Sequence, residues 1–324
     1  LYMFKDCEGV MKKVLFIVIC TLFMLFGCSK TNTKSQLQEF TYILFVAPLE
    51  NHPIWQKSAK GLFDACNEEG YYCDWIGPAT IDIAAMNDTM ERGIIAKADA
   101  IITQGVIDEQ LVKQAKENNI PVVLVDNDMP ASARTAFFGK NFTQQAELLL
   151  ADIEKRMGED EPIIMAIQVA EESFPIAAQQ IEEIEKDFLK HRGGFEIVDV
   201  TSSKSDKVRA RKEWVSTFEK YENVNVSISL ASESVESCYE SAKELHKSDN
   251  MLIYGVDDLQ PTIQLLKKGR ITGSIITPFY DYGYKTVKYL KSYWENEDNS
   301  KKERFDVDIQ MLTKEEAKDY PYEK

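Results

Sequence analysis

Three groups of polar and aromatic residues stand where short apolar runs end: Asn51-His52-Pro53-Ile54-Trp55, Asp126-Asn127-Asp128 and Asp257-Asp258. An ionised carboxylate accepts hydrogen bonds, an amide both donates and accepts, and an indole offers a broad apolar face with a single N–H. Together they suit the holding of a small polar molecule. The same residues also have structural uses. Aspartate opens Asx turns, and Asn51 or His52 fits the cap of a helix whose first position is Pro53. Signs of other chemistry are missing. His52, His191 and His246 are scattered, without the Cys/His spacing of a zinc site. There is no glycine-rich phosphate loop, and Gly273-Ser274 lacks the pattern of a serine nucleophile elbow. Glu171-Glu172 and Glu182-Glu183 read as solvated faces rather than acid–base pairs. No catalytic residue, metal or cofactor is expected.

The elements that must position these groups alternate. Short β-branched runs at 42–47, 72–76, 100–103, 122–125 and 135–138 read as strands, and amphipathic stretches at 54–69, 83–97 and 109–118 as helices. A second series follows, with strands at 163–169, 196–200, 225–230 and 251–254 and helices near 175–190, 206–220, 233–246 and 259–268. The near-continuous apolar runs point to parallel strands covered on both faces. Strands alternating with helices over a chain of this length predict two doubly wound α/β lobes. In such sheets ligands sit outside the carboxyl ends of the strands, where the three groups stand.

Residues 11–28, MKKVLFIVICTLFMLFGC, form an address. Lys12 and Lys13 lead into an uncharged run, 14–26, well short of the ~20 residues a membrane-spanning helix needs. The ending Leu25-Phe26-Gly27-Cys28 resembles the lipobox of bacterial lipoproteins, which implies acylation of Cys28 and removal of residues 1–27. Residues 28–39 are polar and predict a flexible tether to the membrane. The expectation is a lipid-anchored protein on the outer face of the cell membrane. A net charge of −15 sets it against nucleic acid, since phosphate binding runs on Lys and Arg. Beyond Cys28, the cysteines Cys66, Cys73 and Cys238 are an odd count. One bridge between Cys66 and Cys73 is compatible with it, and three buried thiols is the simpler reading.

The order of the segments resembles the periplasmic sugar-binding proteins of the ribose/galactose type. The motifs are Pro48-Leu49-Glu50-Asn51-His52-Pro53-Ile54-Trp55, the strand-then-Asp run Ile120 to Asn127, and Gly255-Val256-Asp257 with the later Lys268-Gly269-Arg270-Ile271-Thr272-Gly273-Ser274-Ile275. The resemblance implies two lobes joined by three crossovers with the ligand between them. The N-terminal lobe would hold residues 40–140 and 278–303. The C-terminal lobe would hold 141–277 and 304–318, including a final strand near 305–309. It further implies ligand contacts at Asn51, His52, Trp55, Asp126, Asn127 and Asp257. Trp55 would stack on a sugar ring, and the carboxylates would accept from its hydroxyls. Gln180 stands where the family has a sugar-gripping Arg, Ser232 where it has Asn, and Thr277 where it has a late Gln. Phe174 and Tyr280 are candidate further walls. The implied partners are a small ligand, expected to be a monosaccharide, and an ABC permease. The alternative is a sensory lipoprotein presenting its ligand to a receptor kinase or chemoreceptor. A monomer is expected.

Overall fold

The computed structural model describes residues 40–296 and 303–321. The signal, the lipobox Cys28 and the tether lie outside them. The first series of apolar runs forms β1 (Tyr42–Val46), β2 (Tyr72–Ile76), β3 (Ala100–Gln104), β4 (Val122–Val125) and β5 (Ala136–Gly139). Helices α1 (Pro53–Glu69), α2 (Ile83–Ile95) and α3 (Glu109–Glu117) alternate with them. The second series is α4 (Phe142–Met157), β6 (Ile163–Val169), α5 (Pro175–Phe188), β7 (Phe195–Ser202), α6 (Lys207–Lys220), β8 (Val226–Ser229), α7 (Ser234–Glu244), β9 (Leu252–Gly255), α8 (Gln260–Lys267) and β10 (Gly273–Ile276). The chain closes with α9 (Phe279–Glu295), β11 (Glu303–Asp306), β12 (Gln310–Leu312) and α10 (Lys314–Ala317).

Two six-stranded sheets result, ordered β11-β5-β4-β3-β1-β2 and β12-β10-β9-β8-β6-β7. Pairing is parallel except for β12 on β10. Central strands such as β3 and β4 are buried along their whole length, whereas the edge strands β2 and β7 are half exposed. That is why only the central runs read as unbroken apolar sequence. The core is filled from both faces of each sheet. One cluster packs Leu62, Leu149, Ile184 and Leu290 against the inner faces, while Met86 and Met90 cover the first sheet's outer face and Trp214 and Phe218 the second's.

The chain crosses between the sheets three times, at Lys140-Asn141, at Thr277-Pro278 and between Asp306 and Gln310. The third crossing corrects the expected lobe boundary. Phe305 pairs with Phe138 in the first sheet and stacks on it at 4.6 Å, so β11 belongs to the first lobe and β12 alone to the second. Two helices absent from the expected pattern, α4 and α9, follow the first two crossings. Helix α9 reads poorly as a helix because it is rich in Tyr and interrupted by Gly283, yet the glycine is what lets it pack. A Cβ on Gly283 would lie 2.0 Å from the Ser58 carbonyl, and one on Gly61 would lie 2.1 Å from the Tyr280 carbonyl. The α1 and α9 backbones therefore nearly touch, and the Ser58 hydroxyl donates to the Phe279 carbonyl at 2.7 Å.

Cys66 and Cys73 form a disulfide, which overturns the reading of three buried thiols. Gly70 takes a left-handed conformation and folds the chain back, bringing the last turn of α1 beside β2 with the two cysteine Cα atoms 6.3 Å apart. Cys238 is free and buried.

Candidate functional site

A cavity of about 100 Å³ lies between the lobes, at the carboxyl ends of both sheets. By the room one water needs, it would hold several. The first lobe contributes the turn after β1, with His52, Ile54 and Trp55, then Gln104 at the end of β3, Asp126 after β4 and Lys140 after β5. Phe279, at the start of α9, closes that side. The second lobe contributes Glu171 after β6, Phe174 just before α5 and Gln180 on it, Ser232 and Glu233 after β8, and Val256 after β9.

Trp55 is set by its helix. His52 caps α1, its Nδ1 accepting from the Ile54 N–H at 3.4 Å, and Pro53 begins the first turn. The indole meets the Phe279 ring edge-on at 5.2 Å and lies stacked on Tyr282 at 6.3 Å. The close contact of α1 and α9 thus builds an aromatic wall along one side of the cavity.

Asp126 forms the polar end. Its φ of 62° is left-handed, a conformation aspartate tolerates better than most side chains. Gln104 Nε2 donates to its Oδ2 at 2.8 Å and the Tyr282 hydroxyl to its Oδ1 at 3.4 Å. Lys140 Nζ is 3.9 Å from Oδ1, an ion pair too long for a hydrogen bond. Burial holds the Lys140 ammonium below the ordinary lysine range, and the Asp126 carboxylate works against that shift. The Oε1 of Gln104 is buried and has no partner.

On the second lobe, burial works against the charge of Glu171, but Lys204 and Ser173 donate to it and hold its carboxyl below the usual range. Glu171 is 8% exposed, which corrects its reading as part of a solvated face. The Ser203 hydroxyl donates to Glu233, whose other oxygen faces His52 Nε2 at 3.8 Å across the cleft. Gln180 donates to Gln145 Oε1 at 3.2 Å and leaves Gln145 Nε2 unpartnered.

His52, Trp55, Asp126, Gln180 and Ser232 are thus brought together, while four other expected contacts stand outside the cavity. Asn51 is an exposed turn residue. Asn127 is buried beneath the site, its Nδ2 donating to the Gly105 carbonyl at 2.7 Å. Asp257 turns inward, and its Oδ1 accepts from the Leu259 N–H at 2.8 Å and the Thr262 hydroxyl at 2.7 Å, as a loop-closing Asx residue does. Thr277 lines a separate pocket of about 420 Å³ at the hinge, where Lys57 pairs with Asp258 at 2.6 Å across the lobes. Phe174 lines the cavity, whereas the Tyr280 hydroxyl turns away to Asp64 at 2.9 Å. Sequence reasoning missed Gln104, Lys140, Glu233 and Phe279. All stand at or just after strand ends, the signal that found Asp126, here applicable to every strand.

The periplasmic binding protein domain matches residues 43–298. The chain belongs to that family. It is a family of binding proteins, not enzymes. No curated protein matches this binding protein in sequence. Among solved structures it is similar to a glucose-galactose binding protein from Geobacillus stearothermophilus, with a TM-score of 0.79 and 23% identity over 88% of this chain and 100% of that one. It is also similar to an ABC transporter solute-binding protein from Burkholderia graminis in complex with D-arabinose, with a TM-score of 0.78 and 19% identity over 87% and 98% of the chains. A third is an ABC transporter periplasmic solute-binding protein from Actinobacillus succinogenes with bound D-allose, with a TM-score of 0.76 and 16% identity over 86% and 99%. At these identities the likeness is one of fold: two α/β lobes about a cleft.

Proposed function

We propose that this binding protein captures a monosaccharide between its lobes, outside the cytoplasm, and delivers it to an ABC permease. The observation that carries the reading is the interlobe cavity itself. An aromatic wall of Trp55 and Phe279 faces a rim of carboxylates, amides and one ammonium. A pyranose has both surfaces, an apolar C–H face for the indole and hydroxyls that donate and accept at the rim. The sugars named with the similar structures, D-arabinose and D-allose, agree with this class. Anchoring through an acylated Cys28 completes the proposal, since two acyl chains on one cysteine supply the two signals stable anchoring needs. No helix among the described residues is long and apolar enough to cross a membrane.

A thermal-shift screen of the purified protein against neutral monosaccharides tests the binding. A ligand at a hundredfold excess over its Kd stabilises the folded state by about 2.7 kcal/mol, so one or a few sugars should raise the melting temperature clearly. Absence of any shift across the panel defeats the sugar reading. For the anchor, Cys28→Ser should release the protein from membranes; retention there removes the lipobox from the account.

A further inference from the structure

We infer that Lys140 decides which sugar the site accepts: its ammonium and the Asp126 carboxylate flank one ring hydroxyl, and Gln104 takes the neighbouring one. This rests on the reading of the cleft as a sugar site. Lys140 is 5% exposed and carries a charged group with three N–H donors. Its nearest carboxylate oxygen is Asp126 Oδ1, at 3.9 Å. Burying an ammonium without hydrogen bonds is costly, and the cavity it lines is where a partner would arrive.

Asp126 is presented unevenly. Its Oδ2 is held by Gln104 Nε2 at 2.8 Å, while Oδ1 has only the long 3.4 Å contact from Tyr282. The loosely held oxygen is therefore the one that faces Lys140. A hydroxyl both donates and accepts, so one placed beside the pair, within reach of both, accepts from Lys140 and donates to Asp126 Oδ1, bridging two groups too far apart for a direct hydrogen bond. The unpartnered Gln104 Oε1 lies on the amide already bonded to Asp126, and it needs a donor. A second hydroxyl on the adjacent ring carbon supplies it. The three groups together select a neutral vicinal diol.

The position of the cation also differs from the expected one. The family resemblance places an Arg at Gln180, on the second lobe, and this chain has a neutral amide there, turned to Gln145. The charge instead comes from the first crossing, beside Asp126, so recognition of the diol is assembled on the first lobe.

The test crosses the protein change with a ligand change. Wild type and Lys140→Met are titrated calorimetrically with the tightest sugar from the screen and with each of its monodeoxy derivatives. Lys140→Met should lose at least tenfold in affinity for the parent sugar, with a melting temperature no lower than wild type. One derivative, lacking the flanked hydroxyl, should bind wild type and variant equally. A loss by the same factor for every derivative, or no loss, overturns the inference while leaving the sugar reading intact. Recovery of parent affinity in Asp126→Asn/Lys140→Met also overturns it, since Lys140 would then only neutralise Asp126. Should Lys140→Met not fold, Lys140→Gln is read in its place. Wild-type protein that binds no sugar overturns both readings.

Discussion

Asp257 lies wholly buried behind Val256, and burial pushes its carboxyl up to about 7; the Thr262 hydroxyl and Leu259 N–H oppose the shift, while Asp258 and Glu233 add to it. Its folded pKa is raised, so the folded state holds a proton that the unfolded chain gives up near pH 3.8. Stability from this group is present below that pH and is lost as pH rises through about 7. Asp257→Asn keeps an acceptor for Leu259 and Thr262 and removes the titration. The variant should melt higher than wild type at about pH 8, and the gap should close toward about pH 4; melting curves across that range read it. An equal effect at every pH would show that the carboxyl is not held neutral. The sequence placed Asp257 and Asp126 at equivalent strand ends and gave no sign that one turns in and the other out. That depends on who else reaches the oxygen: Thr262 for Asp257, Gln104 and Tyr282 for Asp126. Lys140 went unread because its chemistry lies in its depth, not its spacing.

At the scale of elements, alternation and strand-end position carried most of the fold, and the exceptions have physical causes. Helix α9 hides behind Tyr and Gly283 because its stability comes from α1, against which backbone meets backbone. Strand β11 is short, and its place is decided by Phe305 stacking on Phe138 rather than by any pattern of its own. The disulfide depends on a left-handed turn at Gly70 that spacing alone does not reveal. That bridge ties the far end of the helix bearing Trp55 to the first sheet. In the loop-entropy account, closing so short a loop contributes about 2–3 kcal/mol. Cys66→Ser/Cys73→Ser should therefore lower the melting temperature by several degrees while leaving sugar affinity within a few-fold, because the site lies at the other end of α1. A melting temperature that does not respond to the double change, or to reductant, would contradict a stabilising bridge.

At the scale of the whole molecule, two charge pairs span the cleft among the described residues. Lys57–Asp258 at 2.6 Å involves a lysine about one-third exposed, and His52 and Glu233 stand 3.8 Å apart. Under the proposed function a ligand would add to these pairs by touching both lobes at once, and so favour the closed arrangement. Trp55 and Asp126 would hold the sugar from one side, Glu233 and Ser232 from the other. Two lobes and their parallel sheets were legible from the sequence, since periodicity reports them directly, whereas the cleft between them came from the family resemblance. The boundary at β11 and the polar end of the cavity were not, because both rest on pairings far apart in sequence.

The central claim is that a sugar ring packs on Trp55. Calorimetric titration of wild type and Trp55→Ala with the sugar that shifts the melting temperature addresses it most directly. Stacking predicts a loss of affinity of at least tenfold in Trp55→Ala, corresponding to about 1.4 kcal/mol or more, with a melting temperature close to wild type in the absence of sugar. Retained affinity together with a large fall in melting temperature would make Trp55 a core residue and contradict the account.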